Sequence, residues 1–341
     1  MIRWSRDGTP MRSLPNAYGA LAEVEYRIGR WDDGLTHAEV AVSLGEDTDR
    51  AWDLPFVHAV ASYLHSGRGA WGFAAEHADA ARRAAEIAPV PLSRYYACVA
   101  AAHLAWVRED WETVLASLAP LHKPPGALGT AGLDERVPWL LDAEAMIFTG
   151  RLEEAARVLD ELERAVAEGP DDVARVDLWR LRGALEHAYQ RPANAREAFL
   201  QGRAAAEAAD SPFAQAVLEL AYGRFLHKTA SRRAAIAALR AARELFERLG
   251  ARPFSERCEV ELAACGVRAG HQGADDQYGL TAREQVVARL VASGKSNREV
   301  AAELYLSSKA IEYHLANIFT KVGIHSRHEL ASRLAGSITG G

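Results

Sequence analysis

Residues 294–323 read GKSNREVAAELYLSSKAIEYHLANIFTKVG, and their punctuation sets out two helices and a tight turn. Gly294 ends a preceding helix. Ser296 with Glu299 forms a capping box, in which hydroxyl and carboxylate satisfy backbone donors that a helix start leaves orphaned. The short helix this opens, about Asn297 to Leu304, stops two or three residues before the next cap. Ser307 supplies that cap to a longer helix. Gly323 ends it, and Ile324 follows as the apolar residue expected after a left-handed glycine cap.

Working outward, the same signals add a helix on each side. Thr281 with Glu284 opens one before Gly294, and Ser326 with Glu329 opens one after Gly323. A short helix, a tight turn and a longer helix within four make a helix-turn-helix shape. On the longer helix, at about 100° per residue, Ile311, Leu315, Ile318 and Val322 fall within about 60° of one another and must face the core. The opposite side carries Lys309, Glu312, Tyr313, Ala316 and Thr320, flanked by Asn317 and Lys321. Small and polar residues at the centre of an exposed helix face permit close approach to base edges in a major groove. Taken alone, an ordinary solvated face fits them equally well.

Charge separates the ends of the chain. The whole carries −6 over 341 residues, which by itself disfavours nucleic acid. From Leu280 onward, however, eight Lys and Arg stand against five Glu, whereas the remaining stretch holds 32 bases and 41 acids. A small basic module on an acidic body fits a phosphate partner for the tail only.

The stretch before the tail is alanine-rich and reads as helix throughout. Leu152, Ala155, Ala156, Leu159, Leu162 and Val166 share one stripe. Turns recur about every forty residues: Gly29-Arg30 before Trp31, Gly69-Ala70 before Trp71, Glu109-Asp110 before Trp111 and Gly150-Arg151 before Leu152. Arg191-Pro192 before Ala193 and Ser231-Arg232 before Arg233 continue the series more weakly. Two helices per period of this length mark an α-solenoid similar to tetratricopeptide repeats, whose hairpins must stack because none buries its own apolar face. The tryptophans read as packing residues at the hairpin turns. The expected architecture is therefore all-α: a tetratricopeptide-like α-solenoid over residues 1–268, a glycine-rich linker over 269–279, and a four-helix helix-turn-helix domain over 280–341. Such an array offers a concave surface for a protein or peptide partner, or serves as a spacer.

Several classes are not expected. Gly294-Lys295-Ser296 lacks the glycine five residues earlier that a phosphate-binding loop needs, since Arg289 stands there. No alternating strand and helix pattern fits a phosphoacceptor domain. Cys98, Cys258 and Cys265 lack metal spacing and read as buried and inert. His314, His325 and His328 lack a partner carboxylate or cysteine at ligand spacing, so neither metal nor cofactor is expected. No nucleophile and base share a recognisable spacing, so an enzyme is not expected. The start shows no signal-peptide core and no apolar run of membrane-spanning length, which places the expectation in the cytoplasm without a membrane partner.

The segments Leu280–Glu284, Gly294–Ala301, Ser307–Leu315, Asn317–Phe319, Lys321–Ile324 and Ser326-Arg327 resemble the LuxR-type helix-turn-helix signature. The layout is similar to the helical-repeat and carboxy-terminal portion of the large ATP-binding MalT-like LuxR regulators. Their nucleotidase module has no counterpart among these residues, so ATP-driven switching is not carried over. The resemblance implies a sequence-specific transcription regulator on double-stranded DNA, expected to activate and to dimerise through its last helix. It makes Glu312, Tyr313 and Ala316, with Lys309 and Thr320 on the same face, the base-reading candidates. Asn297, Lys309, Lys321 and Arg327 become phosphate candidates. Ala310 stands where the family usually has threonine, at the loss of one hydroxyl contact. Arg283 and Glu284 are expected to serve internal pairing and capping. A different class stays open beside this one: an interaction scaffold whose tail serves mainly dimerisation.

Overall fold

In the computed structural model the described residues are 14–47, 52–121, 136–167, 172–229, 231–267, 280, 282–304, 308–327, 329–330 and 333. Thr281, Ser307, His328 and the stretch 268–279 lie outside them, and with them the expected caps at Thr281 and Ser307 and the expected linker. The chain divides into two compact units, 1–269 and 270–341. Among the described residues all regular structure is helical.

The first unit contains α1 (Leu14–Arg27), α2 (Trp31–Asp47), α3 (Leu54–Gly67), α4 (Trp71–Ile87), α5 (Pro91–Val107), α6 (Trp111–Leu118), α7 (Arg136–Phe148), α8 (Leu152–Ala167), α9 (Asp172–Ala188), α10 (Pro192–Ala208), α11 (Pro212–Thr229), α12 (Arg232–Leu249) and α13 (Arg252–Ala264). Consecutive odd and even helices pair as hairpins from α1 to α12, the odd helices α1 to α11 stack on one another as an inner layer, and α13 packs on α12 and α3. The expected turns are where hairpins reverse. Five of the six share a left-handed residue just before the second helix: Gly29 (φ 82°), Gly69 (φ 77°), Glu109 (φ 57°), Gly150 (φ 80°) and Gln190 (φ 60°). Glycine adopts this backbone without penalty, whereas Glu109 and Gln190 hold it at a steric cost. The periodicity is thus a periodicity of backbone conformation, visible in sequence only where the residue is glycine.

Trp31 shows how a turn residue becomes core. Only 1% of it is exposed, its Nε1 donates to the Tyr26 carbonyl at 2.8 Å, and its ring packs on Tyr26 and Phe213. A Cβ added at Gly67 would lie 2.8 Å from that ring, so glycine there permits the contact. Trp111 stacks on Phe148 at 4.4 Å. Trp71 is 36% exposed under the Arg108 guanidinium. On α8, Ala155, Leu159, Leu162 and Val166 are buried as the stripe requires.

The array does not simply run on from neighbour to neighbour. Ser211 donates to the Arg27 carbonyl at 2.7 Å, Leu249 and Pro212 sit against the turn at Gly29, and Pro253 sits against the turn at Gly69. Arg224 pairs with Glu109 at 3.1 Å, and Arg257 donates to the Val107 carbonyl. The helices α11 to α13 therefore lie across the turn ends of the first three hairpins, and the inner layer closes around a cavity of about 460 Å³. Nearest-neighbour stacking alone gives no reason for this closure.

Cys258 and Cys265 are buried, while Cys98 is only partly so, a small departure from the expectation. Burial pushes the Cys258 thiol up to about 12. No helix among the described residues is long and apolar enough to cross a membrane.

Candidate nucleic-acid interface

The second unit holds α14 (Ala282–Ala292), α15 (Asn297–Leu304) and α16 (Ser308–Val322), and the described residues among 327–333 are helical. Its core gathers Val287 and Val291 of α14, Val300 of α15, Ile311, Leu315, Ile318 and Val322 of α16, then Ile324 and Leu330. Each such side chain, fully buried, stabilises the unit by about 1.5–3 kcal/mol. The stripe that the sequence assigns to the core of α16 is in the core.

Two capping boxes are formed. Glu299 accepts from the Ser296 backbone N–H at 2.7 Å and from its hydroxyl at 2.8 Å, and the Glu299 N–H donates back to Ser296 Oγ at 3.3 Å. These bonds, the backbone one first, hold the Glu299 carboxyl below its ordinary value. Ser326 and Glu329 repeat the side-chain bonds at 2.8 and 3.3 Å, while the backbone donor to Glu329 is the His325 N–H at 3.2 Å. Gly294 and Gly323 are both left-handed, at φ 93° and 69°. The Ile324 N–H closes on the Phe319 carbonyl at 3.0 Å, the outer bond of a Schellman cap. These devices fix the start of α15 and the ends of α14 and α16, and so the direction in which α16 presents its open side.

Four of the five base-reading candidates lie on that open side. Lys309, Glu312, Ala316 and Thr320 are exposed and follow one another along α16. The Thr320 hydroxyl donates to the Ala316 carbonyl at 2.9 Å, which leaves its oxygen as an acceptor. Tyr313 is a correction: only 7% of it is exposed. Both α14 and α15 pack on α16, so its buried arc widens to about 200° and takes in Ala310, His314 and Tyr313 as well as the apolar stripe. A wheel built from apolar residues alone sees only the middle of that arc.

The phosphate candidates are spread more widely. Asn297 is half-buried at the start of α15, its Oδ1 without a hydrogen-bond partner among the described residues. Lys309 is exposed. Lys321 is half-buried and places Nζ 2.6 Å from Glu284 Oε2. Arg327 donates to the Lys295 carbonyl at 2.5 Å, tying the last helix to the turn after α14. The structure thus brings Lys321 and Arg327 into internal contacts, and Glu284, 5% exposed, serves the internal pairing expected of it. Sequence reasoning passed over Arg298, exposed beside Asn297 in the first turn of α15. A cation at the start of the second helix of the motif was the available signal.

Comparison with known proteins concerns this unit. Residues 279–334 match the family described as bacterial regulatory proteins, luxR family. The Fimbriae Z protein of Salmonella typhimurium is 48% identical over 59 residues, 17% of this chain and 28% of that protein. The transcriptional regulatory protein UhpA of the same organism is 36% identical over 99 residues, 25% of this chain and 50% of that protein. A nitrate/nitrite response regulator protein homolog of Haemophilus influenzae is 42% identical over 48 residues, 14% and 23% respectively. The chain spans half or less of the length of these relatives. Family match, capped helices and shared core agree on one conclusion: the carboxy-terminal segment of this chain is a luxR-family helix-turn-helix domain.

Proposed function

We propose that this chain is a sequence-specific transcription regulator acting on double-stranded DNA, with α16 as the element that enters the major groove. The observation that carries the reading is the exposed stripe Lys309, Glu312, Ala316 and Thr320 on the third helix of a luxR-family domain. Ala316 lets the backbone approach base edges, and its neighbours offer one cation, one carboxylate and one hydroxyl to them. Asn297, Lys309, Lys321 and Arg327, joined by Arg298, are the proposed phosphate contacts, which set register without reading sequence. Two copies are taken to bind together through the last helix, with activation as the outcome and residues 269–279 as the linker between units.

The helical array, read as tetratricopeptide-like, is proposed as the part that senses a ligand or docks a partner. Support comes from its cavity, lined from α1, α3, α5, α7, α9 and α11 by residues that include Tyr63, Tyr95, Trp106, Leu141, Asp177 and Phe213. Apolar walls with a few convergent polar groups are the usual form of a small-molecule site.

Genome-wide mapping of fragments bound by the full chain tests the reading. Discrete promoter sites whose occupancy falls steeply with salt, and whose transcripts fall when the protein is removed, are expected. Partners captured without any promoter occupancy would favour a scaffold.

A further inference from the structure

We propose that the array carries a divalent transition-metal site, with zinc as its preferred ion, built from Glu39 of α2, His65 of α3 and His77 of α4. One ligand atom from each of these side chains lies within 4.8 Å of the others. Glu39 Oε1 stands 3.0 Å from His65 Nε2 and 3.8 Å from His77 Nε2. A tetrahedral zinc at about 2.0–2.2 Å from nitrogen and oxygen ligands separates them by roughly 3.3–3.6 Å, which lies between the two separations found here. The second separation is too long for a hydrogen bond, and holding one ion requires it to shorten, and the first to lengthen, by only a few tenths of an ångström.

The surroundings argue the same way. His65 and His77 are buried and stack with planes 6° apart, and the Glu39 side chain is 13% exposed. A metal-bound imidazole usually passes its other ring proton to an acceptor, which fixes the tautomer. His77 Nδ1 lies 3.0 Å from His58 Nδ1, so one of the two nitrogens donates and the other accepts. The Glu46 carboxylate, 4.0 Å from His58 Nε2, favours the His58 proton on that side. His58 Nδ1 is then the acceptor, His77 Nδ1 the donor, and His77 Nε2 turns a lone pair toward Glu39. Two lone-pair-bearing atoms facing each other across 3.8 Å in a buried site are reconciled by a cation between them.

Two imidazoles and one carboxylate suit zinc among the available ions, with the fourth position open to water. The ion would fasten the first hairpin to the second through three different helices. The sites proposed for DNA are not involved, so this inference stands or falls separately from the proposed function.

The full chain, stripped with a chelator and dialysed, is titrated with Zn²⁺ by calorimetry and heated with and without the ion; Co²⁺ replaces Zn²⁺ for absorption spectra. One tightly held ion per chain, a thermal midpoint that rises with free zinc, and the visible bands of four-coordinate cobalt are expected. Glu39→Gln and His77→Gln should abolish all three, and His58→Phe should weaken binding by about 10–100-fold through the lost outer partner. The chain has 12 histidines, so location is decided by variants. Zinc uptake unchanged in Glu39→Gln and His77→Gln overturns the proposal, as does a wild-type cobalt spectrum of the six-coordinate aqua type. The cobalt spectrum holds even if a variant fails to fold.

Discussion

Lys321 of α16 sets its ammonium 2.6 Å from the carboxylate of Glu284 on α14, and that carboxylate is 5% exposed. An ion pair with one buried member ties the proposed reading helix to the first helix of its domain. Removing the lysine strands a buried charge, which costs about 3–5 kcal/mol. Lys321→Ala should therefore lower the melting temperature of the carboxy-terminal unit, followed by the calorimetric transition of the full chain. The double variant Lys321→Met with Glu284→Gln should recover part of it. An unchanged transition in Lys321→Ala would show that the pair adds nothing to the stability of the unit.

Lys309 is expected to behave differently. It is exposed on α16, so Lys309→Ala should leave stability within about 0.5 kcal/mol. It should weaken binding to all DNA sequences by a similar factor and reduce the slope of log affinity against log salt by about one. Anisotropy titrations of labelled duplexes at several salt concentrations measure both effects.

The left-handed turns predict a matched pair of changes. A Cβ at Gly150 meets nothing within 4 Å, so Gly150→Ala costs only the backbone strain of φ 80°, about 1–2 kcal/mol. Gln190 already carries that strain at φ 60°, and Gln190→Gly should relieve a similar amount. Urea unfolding midpoints should move in opposite directions for the two variants.

Acid should loosen the array through His103. Burial lowers its imidazole to about 3, against an ordinary value near 6.5. The ring accepts from the Tyr26 hydroxyl and donates to Ser66 Oγ, at 2.9 and 3.1 Å. The unfolded chain binds this proton below about pH 6.5, whereas the folded one resists it until about pH 3. Stability is thus retained above pH 6.5 and falls as pH drops through this window, by up to about 1.4 kcal/mol per pH unit. Stability measured between pH 6 and 4 should slope less steeply in His103→Gln.

These relationships divide what a linear reading reaches from what it does not. Ser296 with Glu299 and the glycines at 294 and 323 act within a few residues of themselves, so helix ends were legible. So was the apolar stripe of α16, because its period needs no knowledge of neighbours. The burial of Tyr313 was not, since it depends on two other helices, α14 and α15, packing on α16. The pairings of Lys321 with Glu284 and of Arg327 with the Lys295 carbonyl join residues 37 and 32 apart, and no local pattern marks them. Closure of the array rests on Ser211, Arg224 and Pro253 meeting turns more than a hundred residues away, which a repeat period cannot announce.

The central claim is that α16 reads DNA through its exposed stripe, and Ala316 is its most exacting point. Fragments selected by the full chain from sheared genomic DNA should be retarded by the wild type in a salt-sensitive way. Ala316→Glu places a carboxylate where the helix must meet base edges. It should abolish that retardation while leaving the melting temperature unchanged, because position 316 is exposed. Retardation of the same fragments by Ala316→Glu at wild-type affinity would contradict the account.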